Sequence, residues 1–261
     1  MLIRDDGDSW IAIGQPAHAW LSGQLARAWG NERFGEVEPW EEVCLAAEQH
    51  DVGMAGWERQ PTLNPRTGLP RSFMELELEV HLAIWSAAAA LVVPQSRYAA
   101  LLVSLHGTSL YDRRDLTRLD RRDADRVRAF LEGQRELQDS VLATLRADPR
   151  TAAAAAEAAV RRNRRLVWTW DSLSLGLLLQ WAPFELQAVP TADGDVDVAV
   201  RAGDAGGALT LDPWPFGRDR LTVRCEGRRL AGRFEDEATM RAALGSSPWV
   251  TLELELSPGA C

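Results

Sequence analysis

Val43-Cys44-Leu45-Ala46-Ala47-Glu48-Gln49-His50-Asp51, followed by the turn Val52-Gly53-Met54-Ala55-Gly56-Trp57, is the stretch on which the reading of this chain depends. Val43, Ala46, Ala47 and His50 recur at helical spacing, which predicts a helix from Glu38-Pro39-Trp40 onward with one inward face. It ends in a histidine and an aspartate adjacent on one backbone, so both side chains can reach one metal ion or two neighbouring ones. The other three histidines also fall on apolar stripes. Pro16, at a first-turn position where proline is tolerated, opens a helix to about Trp29 with His18, Leu21, Leu25 and Ala28 on one face. Residues 73–93 align Leu78, His81, Leu82 and Trp85, and Pro94 ends that run. Residues 95–111 align Ala99, Leu102, Val103, His106 and Leu110. A later helix, alanine-rich at Ala152–Ala156 and basic at Arg161–Arg165, becomes apolar through Leu166–Trp181. It places Asp171 on a face with Val167, Ser174, Leu175 and Leu178.

The rest of the chain fits around these helices. Residues 2–4 and 10–14 read as strands about the turn Asp5-Asp6-Gly7-Asp8-Ser9. Gly53 to Ser72 reads as a long polar loop, a lid or rim. A charged segment from Asp112 to Arg128 leads into a long helix that Asp148-Pro149 breaks. Val196–Arg201, Ala208–Leu211, Arg220–Glu226, Arg228–Phe234 and Val250–Leu256 read as short strands, and Thr239–Leu244 as a short helix. Asp212-Pro213-Trp214-Pro215-Phe216-Gly217 reads as a rigid aromatic cap on the helices. The expected fold is mainly α, a helical bundle over residues 1–185 with short strands at 1–14. A small β-rich region over 186–261 packs on it. If the N-terminal hairpin joins that region's sheet, the whole is α+β.

Composition narrows the function. A net charge of −9 gives no general attraction to nucleic acid or to an anionic membrane. The longest apolar stretch, Leu82 to Val93, is too short and broken to span a bilayer. The start, Met1-Leu2-Ile3-Arg4-Asp5-Asp6, lacks a secretory apolar core. Three widely spaced cysteines, Cys44, Cys225 and Cys261, argue against a disulfide framework or a paired-thiolate zinc site, and for a reducing, cytoplasmic setting. All 29 basic residues are arginine, so lysine is absent from any mechanism.

Six polar residues therefore stand on apolar faces of five helices: His18, His50, Asp51, His81, His106 and Asp171. Buried carboxylates and imidazoles need partners, and one shared site supplies them together. Four imidazoles and two carboxylates without a thiolate suit iron or manganese, with zinc as an alternative. Two divalent ions bridged by a carboxylate, with Asp51 as the bridge, would use all six ligands. Such a pair leaves the site positive and suited to anions. After the His-Asp pair, Glu58 is a candidate general base, and Trp57, Arg59, Arg66 and Arg71 are candidate substrate contacts. Tyr111, a turn beyond His106, is placed to approach the site.

The order His, His-Asp, His, His, Asp along successive helices resembles the HD superfamily of metal-dependent enzymes. His50-Asp51-Val52-Gly53, Trp57-Glu58, Pro61, Thr67-Gly68-Leu69-Pro70 and Pro213-Trp214-Pro215-Phe216 also look like an uncharacterised bacterial branch of it. The resemblance implies an HD-type helical bundle and one of two chemistries. The first is hydrolysis of a small phosphorylated or otherwise anionic substrate by a metal-held hydroxide. The second is cleavage of a C–C or C–P bond by dioxygen at a mixed-valent di-iron pair. A third reading is a non-catalytic binding protein that metal stabilises. One departure weakens the first reading: many phosphate-cleaving members carry a lysine three residues after the aspartate, where this chain has Met54.

Overall fold

Leu2–Asp5 (β1) and Trp10–Ile13 (β2) form the expected hairpin, with Leu2 opposite Ile13 and Asp5 opposite Trp10. The Asp6 amide closes its turn on the Ser9 carbonyl at 3.0 Å. The hairpin is not free-standing. Trp10, Ile11 and Ala12 pair antiparallel with Leu230, Arg229 and Arg228 of Leu221–Leu230 (β8), so the first strands belong to the C-terminal sheet. The computed structural model describes residues 1–111, 114–203 and 208–259. Asp112 and Arg113 of the expected charged segment, and Cys261, lie outside the described residues.

Eight α-helices are present among the described residues. They are Gln15–Ala28 (α1), Trp40–Gln49 (α2), Met54–Glu58 (α3), Leu78–Val92 (α4), Arg97–Ser109 (α5), Arg121–Ala147 (α6), Glu157–Leu178 (α7) and Glu237–Ser246 (α8). Two short strands, Leu63–Asn64 (β3) and Leu69–Pro70 (β4), pair with each other. Phe184–Pro190 (β5), Asp195–Ala202 (β6), Leu209–Asp212 (β7), β8 and Trp249–Pro258 (β9) join the first hairpin in one seven-stranded sheet of order β1-β2-β8-β9-β7-β6-β5. Its neighbours run antiparallel except β7 and β9, which are parallel.

The expectation of a mainly α helical bundle is therefore corrected. Helix accounts for 48% of the chain, and the curled mixed sheet is too large for a minor appendage, so the fold is α+β. Two local features concealed the sheet. The strand β5 follows Pro183 and ends on Pro190, prolines that read as the close of the helical part. The strand β8 was expected as two, divided at Gly227. That glycine instead marks the crossing with β2: a Cβ there would lie 2.6 Å from Ile11 Cγ2. The boundary expected at 185 falls inside β5. Ala152–Ala156, read as helical, forms turns, and Ala156 is the N-cap of α7.

Helix α1 joins the layers, packing on α2 and α7 on one side and on β8 on the other. Leu21 and Leu25 of α1, Ile11 and Ile13 of β2, and Leu166 and Trp170 of α7 belong to one continuous buried core. Full burial of each such side chain stabilises by about 1.5–3 kcal/mol. The Asp212–Gly217 segment lies at the end of α1 as expected. The Gly30 amide donates to the Pro215 carbonyl at 3.0 Å, and Phe216 packs edge-on against Trp29.

The 53–72 segment is not a free lid. It contains α3 and the β3–β4 hairpin, and the C-terminal region holds it. The Phe234 amide donates to the Gly68 carbonyl at 2.7 Å, and Arg241 Nε to the Pro61 carbonyl at 2.9 Å. Among the described residues no helix is long and apolar enough to cross a membrane.

Candidate metal centre

Four of the expected ligands converge where α1, α2 and α7 pack together. His18 stands one turn into α1, His50 is the C-cap of α2, Asp51 follows it, and Asp171 lies midway along α7. Both His18 and His50 are fully buried; Asp51 is 5% and Asp171 7% exposed. Asp171 Oδ1 lies 3.0 Å from His18 Nε2 and 3.3 Å from His50 Nε2. The two Nε2 atoms are 3.2 Å apart, and Asp51 Oδ2 is 3.6 Å from each.

Hydrogen bonds on the far side of each ring turn these atoms inward. His50 Nδ1 lies 2.8 Å from the Ala47 carbonyl, which can only accept, so Nδ1 carries a proton and Nε2 is left for the cluster. His18 Nδ1 meets Ser174 Oγ at 2.5 Å, and Ser174 in turn accepts from Ser22 Oγ at 2.9 Å. His18 Nε2, His50 Nε2, Asp51 Oδ2 and Asp171 Oδ1 thus gather in the dry interior, where two buried carboxylates need positive charge, from a proton on an imidazole or from a metal ion that the group could hold. Donors bound about 2.1 Å from one ion, at right to tetrahedral angles, stand about 3.0 to 3.4 Å apart. The observed separations are close to that range.

The titration behaviour has the same origin. Burial alone would lower His50, but the Asp51 and Asp171 carboxylates outweigh it and hold it up at about 9. Burial would raise Asp171, but hydrogen bonds from His18 and His50 pull its carboxyl well below the usual range. Without a metal, a proton on His50 supplies the missing positive charge. The C-terminal end of α2, with its negative dipole end, favours either cation.

His106, on α5, borders the cluster. Its Nε2 is 3.8 Å from Asp171 Oδ2, and the ring sits between Trp85 and Trp168 at centroid distances of 5.4 and 5.6 Å. Its buried Nδ1 has no hydrogen-bond partner among the described residues. Burial and the neighbouring His50 lower it to about 4, so it is neutral and available as a ligand. Among the described residues, two groups of three could hold an ion: His18, His50 and Asp51, and His50, His106 and Asp171.

His81 is in neither group. Trp85 Nε1 donates to its Nε2 at 3.1 Å, and Tyr111 Oη meets its Nδ1 at 2.5 Å. Burial lowers His81 and pushes the Tyr111 hydroxyl up to about 12, so both are neutral.

The other expected site residues lie elsewhere. Glu58 is not placed as a base. Its two oxygens accept from the Gln15 amide at 3.0 and 2.9 Å, capping α1, and it also pairs with the Met1 amino group at 2.5 Å. Trp57 packs on the small cluster of Met1, Ala12 and Leu230. Arg59 is exposed. Arg66 and Arg71 line a separate cleft of about 450 Å³ with Asn64, Pro65, Met74 and Glu75. Cys44 and Cys225 are buried thiols that burial raises to about 12, consistent with a centre without thiolate.

Sequence reasoning missed Gln15, whose Nε2 donates to Asp51 Oδ2 at 2.9 Å and whose buried Oε1 has no partner among the described residues. Its signal was its place one turn before His18 on the same face. It also missed Trp85 as the partner of His81, although the spacing of the two along α4 brings them onto one face.

Fold and site together describe an α+β protein with a buried histidine–aspartate cluster whose residues could hold a metal ion. Residues 1–232 match the family described as Protein of unknown function (DUF3891), and the chain belongs to it. Neither the curated proteins nor the solved structures contain a match.

Proposed function

We propose that this chain is a metal-dependent hydrolase of a small phosphorylated or otherwise anionic substrate. The observation that carries the reading is the convergence of Asp51 Oδ2 and Asp171 Oδ1 on the two imidazoles, each oxygen within 3.6 Å of both His18 Nε2 and His50 Nε2, which are themselves 3.2 Å apart. These residues would hold iron, manganese or zinc. When bound, such an ion polarises a phosphoryl or carbonyl oxygen and makes water acidic enough to attack at neutral pH. The ligand set resembles that of HD-superfamily enzymes, although the sheet sets the overall fold apart from their helical bundle.

The chain's own groups supply the rest. The Ala47 carbonyl and Ser174 hydroxyl fix the two imidazoles, and Gln15 fixes Asp51. Full burial of His18 and His50 closes one side of the centre to water. The slight exposure of Asp51, Asp171 and His106 supports substrate entry from their side. The guanidinium of Arg114, 5.7 Å over the Tyr111 ring, lowers His81 through its charge, so its field reaches that side and suits an anion.

The test is to load the purified protein with manganese, iron or zinc and assay generic phosphodiesters and phosphomonoesters. Turnover should appear with at least one metal and vanish in His18→Ala and Asp171→Asn. Absence of turnover with every metal would count against the reading.

A further inference from the structure

We propose that the centre holds one metal ion per chain and that His81 lies outside its ligand set. The inference rests on the metal-dependent hydrolase reading and narrows it. A pair of ions sharing a carboxylate would need both His81 and His106 for the second ion. The structure offers only His106 in that position.

His81 is withheld by its hydrogen bonds. An indole N–H can only donate, so the bond from Trp85 occupies the His81 Nε2 lone pair. The other ring nitrogen is held by Tyr111. Releasing Nε2 toward a metal would strand the indole N–H of a side chain that is only 4% exposed. Trp85 has little room to follow. Its ring lies against Gly107, where a Cβ would come within 2.7 Å of Cε3, and its other neighbour is the His106 ring at 5.4 Å. The sequence supports this arrangement, because glycine directly after His106 is what allows an indole to lie against α5.

The remaining ligands do not divide into two complete sets. The two groups able to hold an ion share His50, whose single inward lone pair, on Nε2, already faces His18 and Asp171. Without His50 the second group is reduced to His106 and Asp171. His18, His50, Asp51 and Asp171, with His106 alongside, would serve one ion between them and leave no complete set for a second. A mixed-valent pair needs two ions with a shared bridge, so a one-ion centre fits redox-neutral hydrolysis and not di-iron oxygenation.

Equilibrium dialysis of the whole protein against Mn(II), with elemental analysis of the bound fraction, tests this. One ion per wild-type chain is expected, with the electron paramagnetic resonance signal of an isolated Mn(II). In His81→Ala one ion should remain, with an affinity loss below the roughly tenfold that removing even an outer partner of a ligand produces. Two ions per wild-type chain with an exchange-coupled signal, or loss of an ion in His81→Ala, would overturn the one-ion centre while leaving metal-dependent hydrolysis standing. No bound ion in the wild type, with Mn(II), Fe(II) or Zn(II), would overturn both. The wild-type stoichiometry decides the question by itself should the variant fail to fold.

Discussion

The histidines of α1 and α2 and the histidine of α4 have the same chemistry and opposite states. On α1 and α2, His18 and His50 each have one ring nitrogen fixed by a neighbour and the other turned bare into the cluster. On α4, His81 has both nitrogens engaged, by Trp85 and Tyr111. Residue type does not decide which imidazole can bind a metal. The decisive factor is whether the groups packed around the ring leave a lone pair free, and in which direction it points.

The most severe way to break this contrast is to remove the acceptor that both free imidazoles face. Asp171→Asn should weaken metal binding by more than about 100-fold, a loss beyond that of an outer-partner substitution, measurable by isothermal titration. The same change should lower the affinity of the whole centre, because Asp171 belongs to the first cluster by contact and to the second as a ligand.

A second effect comes from the proton that the metal-free cluster holds. His50 is held at about 9, above the ordinary 6.5, so the metal-free fold keeps a proton that the unfolded chain releases. That contribution to stability is complete below the unfolded value and is lost as pH rises from about 6.5 to about 9. Thermal melts of metal-free protein should fall across that window, and saturating metal should abolish the slope. His106, lowered to about 4, works on the acid side: stability should decline as pH falls from about 6.5 toward 4.

Smaller still is the loss of orientation at one free imidazole. Ser174→Ala removes the hydroxyl on His18 Nδ1 and should weaken metal binding by about 10–100-fold without emptying the centre. The smallest effect on the centre is expected from Gly107→Ala, which presses a methyl group into the Trp85 ring. It should lower stability by about 1–3 kcal/mol in urea denaturation and weaken metal binding less than Ser174→Ala does, because the Trp85 ring it displaces packs on His81 and His106 and not on His18, His50 or the carboxylates.

Much of the site was legible because helical periodicity is a local property. The apolar stripes around His18, His50, His106 and Asp171 required those side chains to face inward, and four inward polar groups in one core have to meet. What the sequence did not show are contacts with partners distant along the chain. His81 lies on the same kind of stripe, and nothing in its own helix shows that Tyr111, just beyond α5, would meet its second nitrogen. Glu58 follows the His-Asp pair closely enough to suggest a base, but the first turn of α1 lies across from it and takes both its oxygens. Arg66 and Arg71 were grouped with the ligands by proximity in sequence, whereas the β3–β4 hairpin carries them to a cleft of their own.

The sequence by itself determined the helices, their buried faces, the first hairpin and most of the later strands, since each follows from spacing within a few residues. The tertiary structure alone decided that the first and last parts of the chain share one sheet, because strand order depends on pairing between segments about two hundred residues apart, such as β2 with β8. It alone decided which imidazoles remain free, because a lone pair is claimed or left open by whichever donor the packing of other helices brings beside it.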